Sequence, residues 1–200
     1  MQVTAWLLSV LVVALAVVAW GQGYGWPPLS SASLYVVFPL LGLVGFSIMW
    51  SHYAMGAVAR WQRAKPAVLR QYFEYTGFVV LAAILLHPGL LVYQLWRDGM
   101  GLNYFAYEPP GAMRWLLVLS SACLLIFLAY EFKRVFATNR WWRYVQYAGD
   151  AAMIGIFIHA LGLGGQVQAG WYHWVWLFYG VTLVLALGYK YTVQWRQRSR

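Results

Sequence analysis

Six times along the chain an apolar run reaches the length of a membrane crossing, at approximately 3–20, 34–58, 75–96, 113–134, 144–166 and 171–192. A helix rises 1.5 Å per residue, so about 20 apolar residues span roughly 30 Å of hydrocarbon. In that solvent every backbone N–H and C=O must be satisfied internally, and a helix does this within one segment. The chain therefore reads as all-α: a polytopic six-transmembrane-helix bundle forming a single domain over residues 1–200. Composition agrees, since 62% hydrophobic and 10% charged residues lie outside the range of ordinary soluble domains.

The first run resembles a signal peptide only in position. It has no basic leading region and no clear small-residue cleavage pattern before "WGQGYGWPPLSS", and it reads as a retained helix. Helix breakers mark the connections "GYGWPPLSS", "DGMGLNYFAYEPPG" and "GLGGQVQAG". No linker is long enough to divide the chain, and no repeat period is evident.

The formal charge of +9 comes in short clusters beside apolar runs, the pattern of a cytoplasmic membrane face and not of nucleic-acid binding. The second connection carries Arg60, Arg63, Lys65 and Arg70; the fourth carries Lys133, Arg134, Arg140 and Arg143; the tail carries Lys190, Arg196, Arg198 and Arg200. With six crossings, twelve of the fourteen basic residues share one side, leaving Arg97 and Arg114 on the other. The positive-inside rule then places both termini in the cytoplasm and the chain in the cell's inner, or plasma, membrane. Trp61, Trp141, Trp142 and Trp195 belt the inner interface, with Trp96, Trp115, Trp171 and Trp174 at the outer one.

Two histidines interrupt apolar helices, in "AILLHPGLL" and "GIFIHALGLG", where polar groups are costly and usually functional. His87 lies 17 residues beyond Arg70 and His159 lies 16 beyond Arg143, on helices that run in the same direction. Both imidazoles thus sit about 25 Å from an inner basic anchor, in the outer half of the bilayer. Two neutral imidazoles at one depth on two parallel helices suit the trans axial positions of one haem iron. Cys123, the single cysteine, lies in an apolar run and forms no Cys-x-x-Cys-His motif, so any haem is held non-covalently. Gly77, Gly89, Gly155, Gly162 and Gly164 crowd the same helices, where small residues admit a flat macrocycle or another helix. Arg97 and Arg114 lie where propionates of an outer haem would emerge, or serve as interfacial anchors.

The segments "YTGFVVLAAILLHPGLLVYQLW" and "WWRYVQYAGDAAMIGIFIHALGLG" resemble the third and fifth helices of the ferric reductase-like transmembrane family. That family includes NADPH oxidases, ferric reductases and the haem membrane subunit of bacterial methionine sulfoxide reductase systems. The resemblance spans roughly residues 34 to 190 and implies a b-type haem held by His87 and His159. Many members stack a second haem inward, where this chain has Phe73 and Gln146 in place of histidines. A single-haem variant is implied, with a flavin (FAD or FMN) or a quinone at the inner level near His52, Phe73 and Gln146.

The remaining polar residues carry alternatives. His52 reads as a helix-packing histidine, or as a contact to an inner cofactor. Asp150 falls on nearly the opposite helix face from His159 and reads as a partner of Arg143 or Lys133, or as a proton- or quinone-handling group. His173 reads as a solvated interfacial residue, or as a contact to an acceptor; Glu131 forms an interfacial cluster with Lys133 and Arg134. No Gly-x-Gly-x-x-Gly stands in a strand-turn-helix setting, so the chain is not expected to hold NAD(P)H itself. The expected function is a membrane electron conduit, a haem-containing oxidoreductase component. It would take electrons from a cytoplasmic flavoprotein, a bound flavin or a quinol, and pass them to an acceptor on the outer side. The competing readings are a non-redox assembly factor, channel or transporter subunit, and a quinol-linked cytochrome b subunit of a larger enzyme.

Overall fold

The structure, a computed structural model, describes residues 1–28, 30, 32–102, 114–131 and 138–199. Among these residues the only regular structure is helical. Six long helices carry the fold: α1 (Gln2–Tyr24), α2 (Leu34–Trp61), α3 (Arg70–Arg97), α4 (Arg114–Glu131), α5 (Trp142–Leu163) and α6 (Gly170–Arg198). A 3-10 turn, Pro66–Leu69, leads into α3, and one helical turn, Gly165–Gln168, separates α5 from α6. Most helices outrun the apolar spans that mark them, because the backbone ladder continues into the headgroup region once begun. Lys133, Arg134 and the whole of "NYFAYEPPG" lie outside the described residues, as does the end of the fourth apolar span.

Five segments are long and apolar enough to cross a membrane: α1, α2, α3 with part of its leading turn, α4 and α6. The chain is a multi-pass membrane protein. α5 has the length, at 22 residues, but Gln146, Asp150 and His159 dilute its apolar character.

Side-chain contacts fix the helix directions. His52 meets Thr76 while Gly42 meets His87, so α2 and α3 are antiparallel. Trp142 meets Tyr130 and Gly162 meets Leu116, so α4 and α5 are antiparallel too. α6 runs parallel to α2: Phe46 packs on Trp176 with ring centroids 4.3 Å apart, and Trp50 donates to Thr182 Oγ1 at 2.8 Å. Glycine makes several of these approaches possible. A Cβ at Gly155 would come within 2.7 Å of Cys123 Sγ, and one at Gly162 within 2.2 Å of Leu116 Cδ1. In lipid, where hydrophobic burial cannot drive association, such close contact is the main source of helix-helix stability. Gly77 and Gly89, by contrast, would meet nothing within 4 Å.

Polar bonds dock α1. Tyr72, fully buried on α3, shares hydrogen bonds with Ser9 of α1 at 2.7 Å and Ser51 of α2 at 2.6 Å, and Ser51 donates to the Ile48 carbonyl. Inside a membrane each of these hydroxyls would be costly unpaired.

Candidate functional site

Each of two helix hairpins presents one imidazole near its open end, away from the connection between its two helices. In the α2–α3 hairpin, His87 Nδ1 donates to the Phe38 carbonyl at 2.7 Å; in the α4–α5 hairpin, His159 Nδ1 donates to the Leu116 carbonyl at 3.1 Å. A carbonyl only accepts, so the bond fixes the tautomer: the proton sits on Nδ1 and the Nε2 lone pair is left over. Both acceptors lie in the first turns of the preceding helix. The two hairpins thus build the same local device twice.

The levels agree as well. His87 lies against Gly42, and Phe157, two residues before His159, packs at 6.2 Å on Phe46, one turn inward of Gly42 on α2. Along the helix axes the two imidazoles are therefore within about 3 Å of one level.

Gly42 is the cradle of His87. A Cβ there would sit 2.9 Å from Cε1, 3.0 Å from Nδ1 and 3.3 Å from Nε2 of the ring, so any side chain at this position would displace the imidazole. Phe38 supports the same ring at a centroid separation of 5.2 Å. The chemistry of this donor set suits an axially ligated iron: two neutral imidazoles, each oriented by a carbonyl bond from its far nitrogen, the usual arrangement behind a metal-bound histidine.

The other candidates lie elsewhere. His52, ten residues inward of Gly42 on α2 and so about 15 Å deeper, bonds Thr76 Oγ1 through Nε2 at 2.6 Å. Thr76 spends its own hydrogen on the Tyr72 carbonyl, so His52 must be the donor. Its rings are boxed edge-on by Tyr72 and Phe73, which makes it a helix-packing residue between α2 and α3. Gln146 is exposed on α5 and has no side-chain bond to His52 or Phe73. His173 donates Nδ1–H to the Val167 carbonyl at 2.8 Å, at the outer end of α6.

Arg97 is exposed and donates to Gln94 Oε1 at 2.8 Å; Gln94 in turn donates to both oxygens of Asp98, which also accepts from Tyr35 OH of α2 at 2.8 Å. These bonds from Gln94 and Tyr35 hold the Asp98 carboxyl below the ordinary aspartate range. Arg114 is exposed at the start of α4. Among the described residues no three His, Cys, Asp or Glu side chains gather into a metal-ligand group.

Asp150 corrects the expected pairing. Among the described residues its partner is Lys190 of α6, at 2.5 Å, and not Arg143; Lys133 lies outside them. Oδ2 also accepts from Tyr191 OH at 2.5 Å, and Oδ1 accepts from Tyr53 OH of α2 at 3.1 Å. Lys190, half-buried, is therefore the ion-pair partner of a buried carboxylate and not a free tail cation. The sequence offered one signal for this cluster: Asp150 is the only one of the five acidic residues well inside an apolar run.

No family model, curated protein or solved structure matches the chain.

Proposed function

We propose that the chain is a b-type haem electron-transfer protein of ferric reductase-like type, in which His87 and His159 would hold the haem iron. One observation carries the reading: at one outer level, two hairpins each hold an imidazole by an Nδ1–H bond to a backbone carbonyl and leave its Nε2 lone pair unused. A packing histidine has no need to match another in depth, tautomer and partner. When bound, the haem would supply one-electron redox chemistry. The residues of the chain then orient and tune it: the Phe38 and Leu116 carbonyls fix the rings, and Gly42 gives the His87 ring its place.

The orientation follows from the same reading. α5 packs along α4, and its one carboxylate, 6% exposed, is turned into the protein and paired, which supports a sixth crossing. Both termini and the Arg60–Arg70 connection then lie on the cytoplasmic side of the plasma membrane, with the two histidines in the outer half. Arg97 and Arg114 stand at the outer rim, as interfacial anchors within reach of a carboxylate. Electrons enter from a flavoprotein, flavin or quinol and leave to an outer acceptor.

The purified full-length chain is expected to be red, with a Soret band that shifts on dithionite reduction and haem content near a single group per chain. NADPH alone should not reduce it, whereas a flavin reductase system or a quinol should. A colourless protein that takes up no haem would favour a non-redox role instead.

A further inference from the structure

Each candidate imidazole is oriented inside its own hairpin. His87 bonds the Phe38 carbonyl within α2–α3, and His159 bonds the Leu116 carbonyl within α4–α5. Neither bond relates one hairpin to the other. A hairpin that slid or turned as a unit would carry its imidazole, its carbonyl and the bond between them along unchanged. What holds the two rings at one level must therefore lie where α5 meets the remaining helices.

α5 divides into two faces. His159, Gly155 and Gly162 turn toward α4, where the two glycines admit Cys123 and Leu116. Asp150, Met153 and Phe157 turn the other way, toward α2 and α6. Two joints form on that second face, seven residues or about 10 Å apart. The joint at Phe157 is apolar: its ring stacks on Trp176 at 6.0 Å with an interplanar angle of 8° and packs on Phe46 at 6.2 Å. It also fills the space beside Gly180, where a Cβ would come within 2.4 Å of it. At Asp150 the joint is polar. The carboxylate accepts from Tyr53 OH of α2 at 3.1 Å, and from Lys190 and Tyr191 of α6 at 2.5 Å each.

The two joints constrain different things. Apolar contact is non-directional, and in lipid a sliding helix exchanges one apolar neighbour for another at little cost. A carboxylate that takes three donors from two helices has no such freedom. A slip of a single residue would move it about 1.5 Å along the axis and turn it about 100°, away from all three. Hydrocarbon then offers no water to replace the lost partners. An ion pair in a bilayer is expensive, and its best-attested use is to fix register. An apolar pair of similar size would pack the same helices at lower cost, without choosing among neighbouring registers.

We propose that Asp150, Lys190, Tyr191 and Tyr53 form a register pin between the two hairpins, and that this pin positions His159 against His87. Asp150 lies nine residues from His159, about 14 Å of rise, on nearly the opposite face of α5. Its effect on the imidazole is one of placement, carried by the helix. The inference rests on the haem reading for its purpose; the pin itself does not require haem.

The test is double electron–electron resonance on the full-length chain in lipid nanodiscs, with nitroxides at Val79→Cys of α3 and Leu125→Cys of α4, both exposed positions, in a Cys123→Ala background. The labelled parent should give one narrow distance. The double variant Asp150→Asn/Lys190→Met carries no buried charge, and its fold is checked by circular dichroism. It should nevertheless give a distribution about twofold broader, because stability is recovered and register is not. Tyr53→Phe, which deletes a single donor, should broaden it less; Lys190→Arg, which keeps the cation, should hold it narrow, as should Phe157→Leu at the apolar joint. In matching unlabelled, haem-loaded chains the low-spin bis-imidazole signal should fall severalfold in the double variant and persist in Lys190→Arg. A double variant as narrow as the parent, or equal broadening by Phe157→Leu, would overturn the pin. The same samples separate the two ideas: broadening in a chain that takes up no haem upholds the pin against the haem reading, and a low-spin haem spectrum beside an unbroadened double variant does the reverse.

Discussion

The level of His87 and His159 and the level of His52 and Asp150, nearer the chain termini, use similar residues in opposite ways. Among the described residues each of the first two imidazoles bonds a backbone carbonyl through Nδ1 and no side chain through Nε2. At the inner level His52 spends Nε2 on a threonine that is itself committed to a carbonyl, and is walled by two aromatic rings. Asp150 there is tied to a lysine and two tyrosines. A spare nitrogen alone does not set the pair apart, since His173 also bonds a backbone carbonyl through Nδ1; His87 and His159 share a level as well. Among the described residues one level leaves its Nε2 atoms without a side-chain partner, and the other is closed on itself.

The largest stability effect is expected where the inner level is closed by charge. Lys190→Ala leaves Asp150 buried without its cation and should cost about 3–5 kcal/mol, read as a lower thermal midpoint in detergent. The double variant Asp150→Asn/Lys190→Met should recover most of that loss, since neither remaining side chain carries a charge. Equal destabilisation by the single and double variants would show that the cluster is held by packing alone.

Gly42→Ala sharpens the contrast from the outer side. The added Cβ overlaps the His87 ring and should cost about 1–3 kcal/mol as overpacking, together with a fall in haem occupancy. Gly77→Ala on α3 meets open space and should be neutral or stabilising by about 0.5–1 kcal/mol through helix propensity. Comparable behaviour of the two variants would remove the cradle argument.

The smallest effect lies at the rim. The native Asp98 carboxyl is held below its ordinary range by bonds from Gln94 and Tyr35. A depressed native value means that its contribution is present above the unfolded value and is lost as pH falls through the native one. Thermal midpoints of the wild type and Asp98→Asn should therefore differ slightly at neutral pH and converge as pH falls through the depressed native value. A gap that persists in acid would assign the effect to shape and not to charge.

Helix positions and the matched depth of His87 and His159 were legible in the sequence, because lipid thickness imposes a one-dimensional ruler that residue counting can read. Rotation about the helix axis was not. Which nitrogen of His52 is occupied depends on how α2 faces Thr76, and no spacing within α2 encodes that. The Asp150–Lys190 pair joins residues 40 apart on antiparallel helices, and Lys190 reads by position as one more tail cation. Tyr35 reaches Asp98 across 63 residues in the same way. Arg143, one of the local charges from which a partner for Asp150 was sought, is exposed and donates to Tyr144.

The central claim is that His87 and His159 together ligate one iron. Optical and low-temperature electron paramagnetic resonance spectra of the haem-loaded full-length chain test it most directly, in the wild type and in His87→Ala, His159→Ala, His52→Ala and His173→Ala. The account predicts a low-spin bis-imidazole spectrum that is lost in each of the first two variants and kept in the last two. Retention of that spectrum in either His87→Ala or His159→Ala, or its loss in His52→Ala with the fold intact, would contradict it.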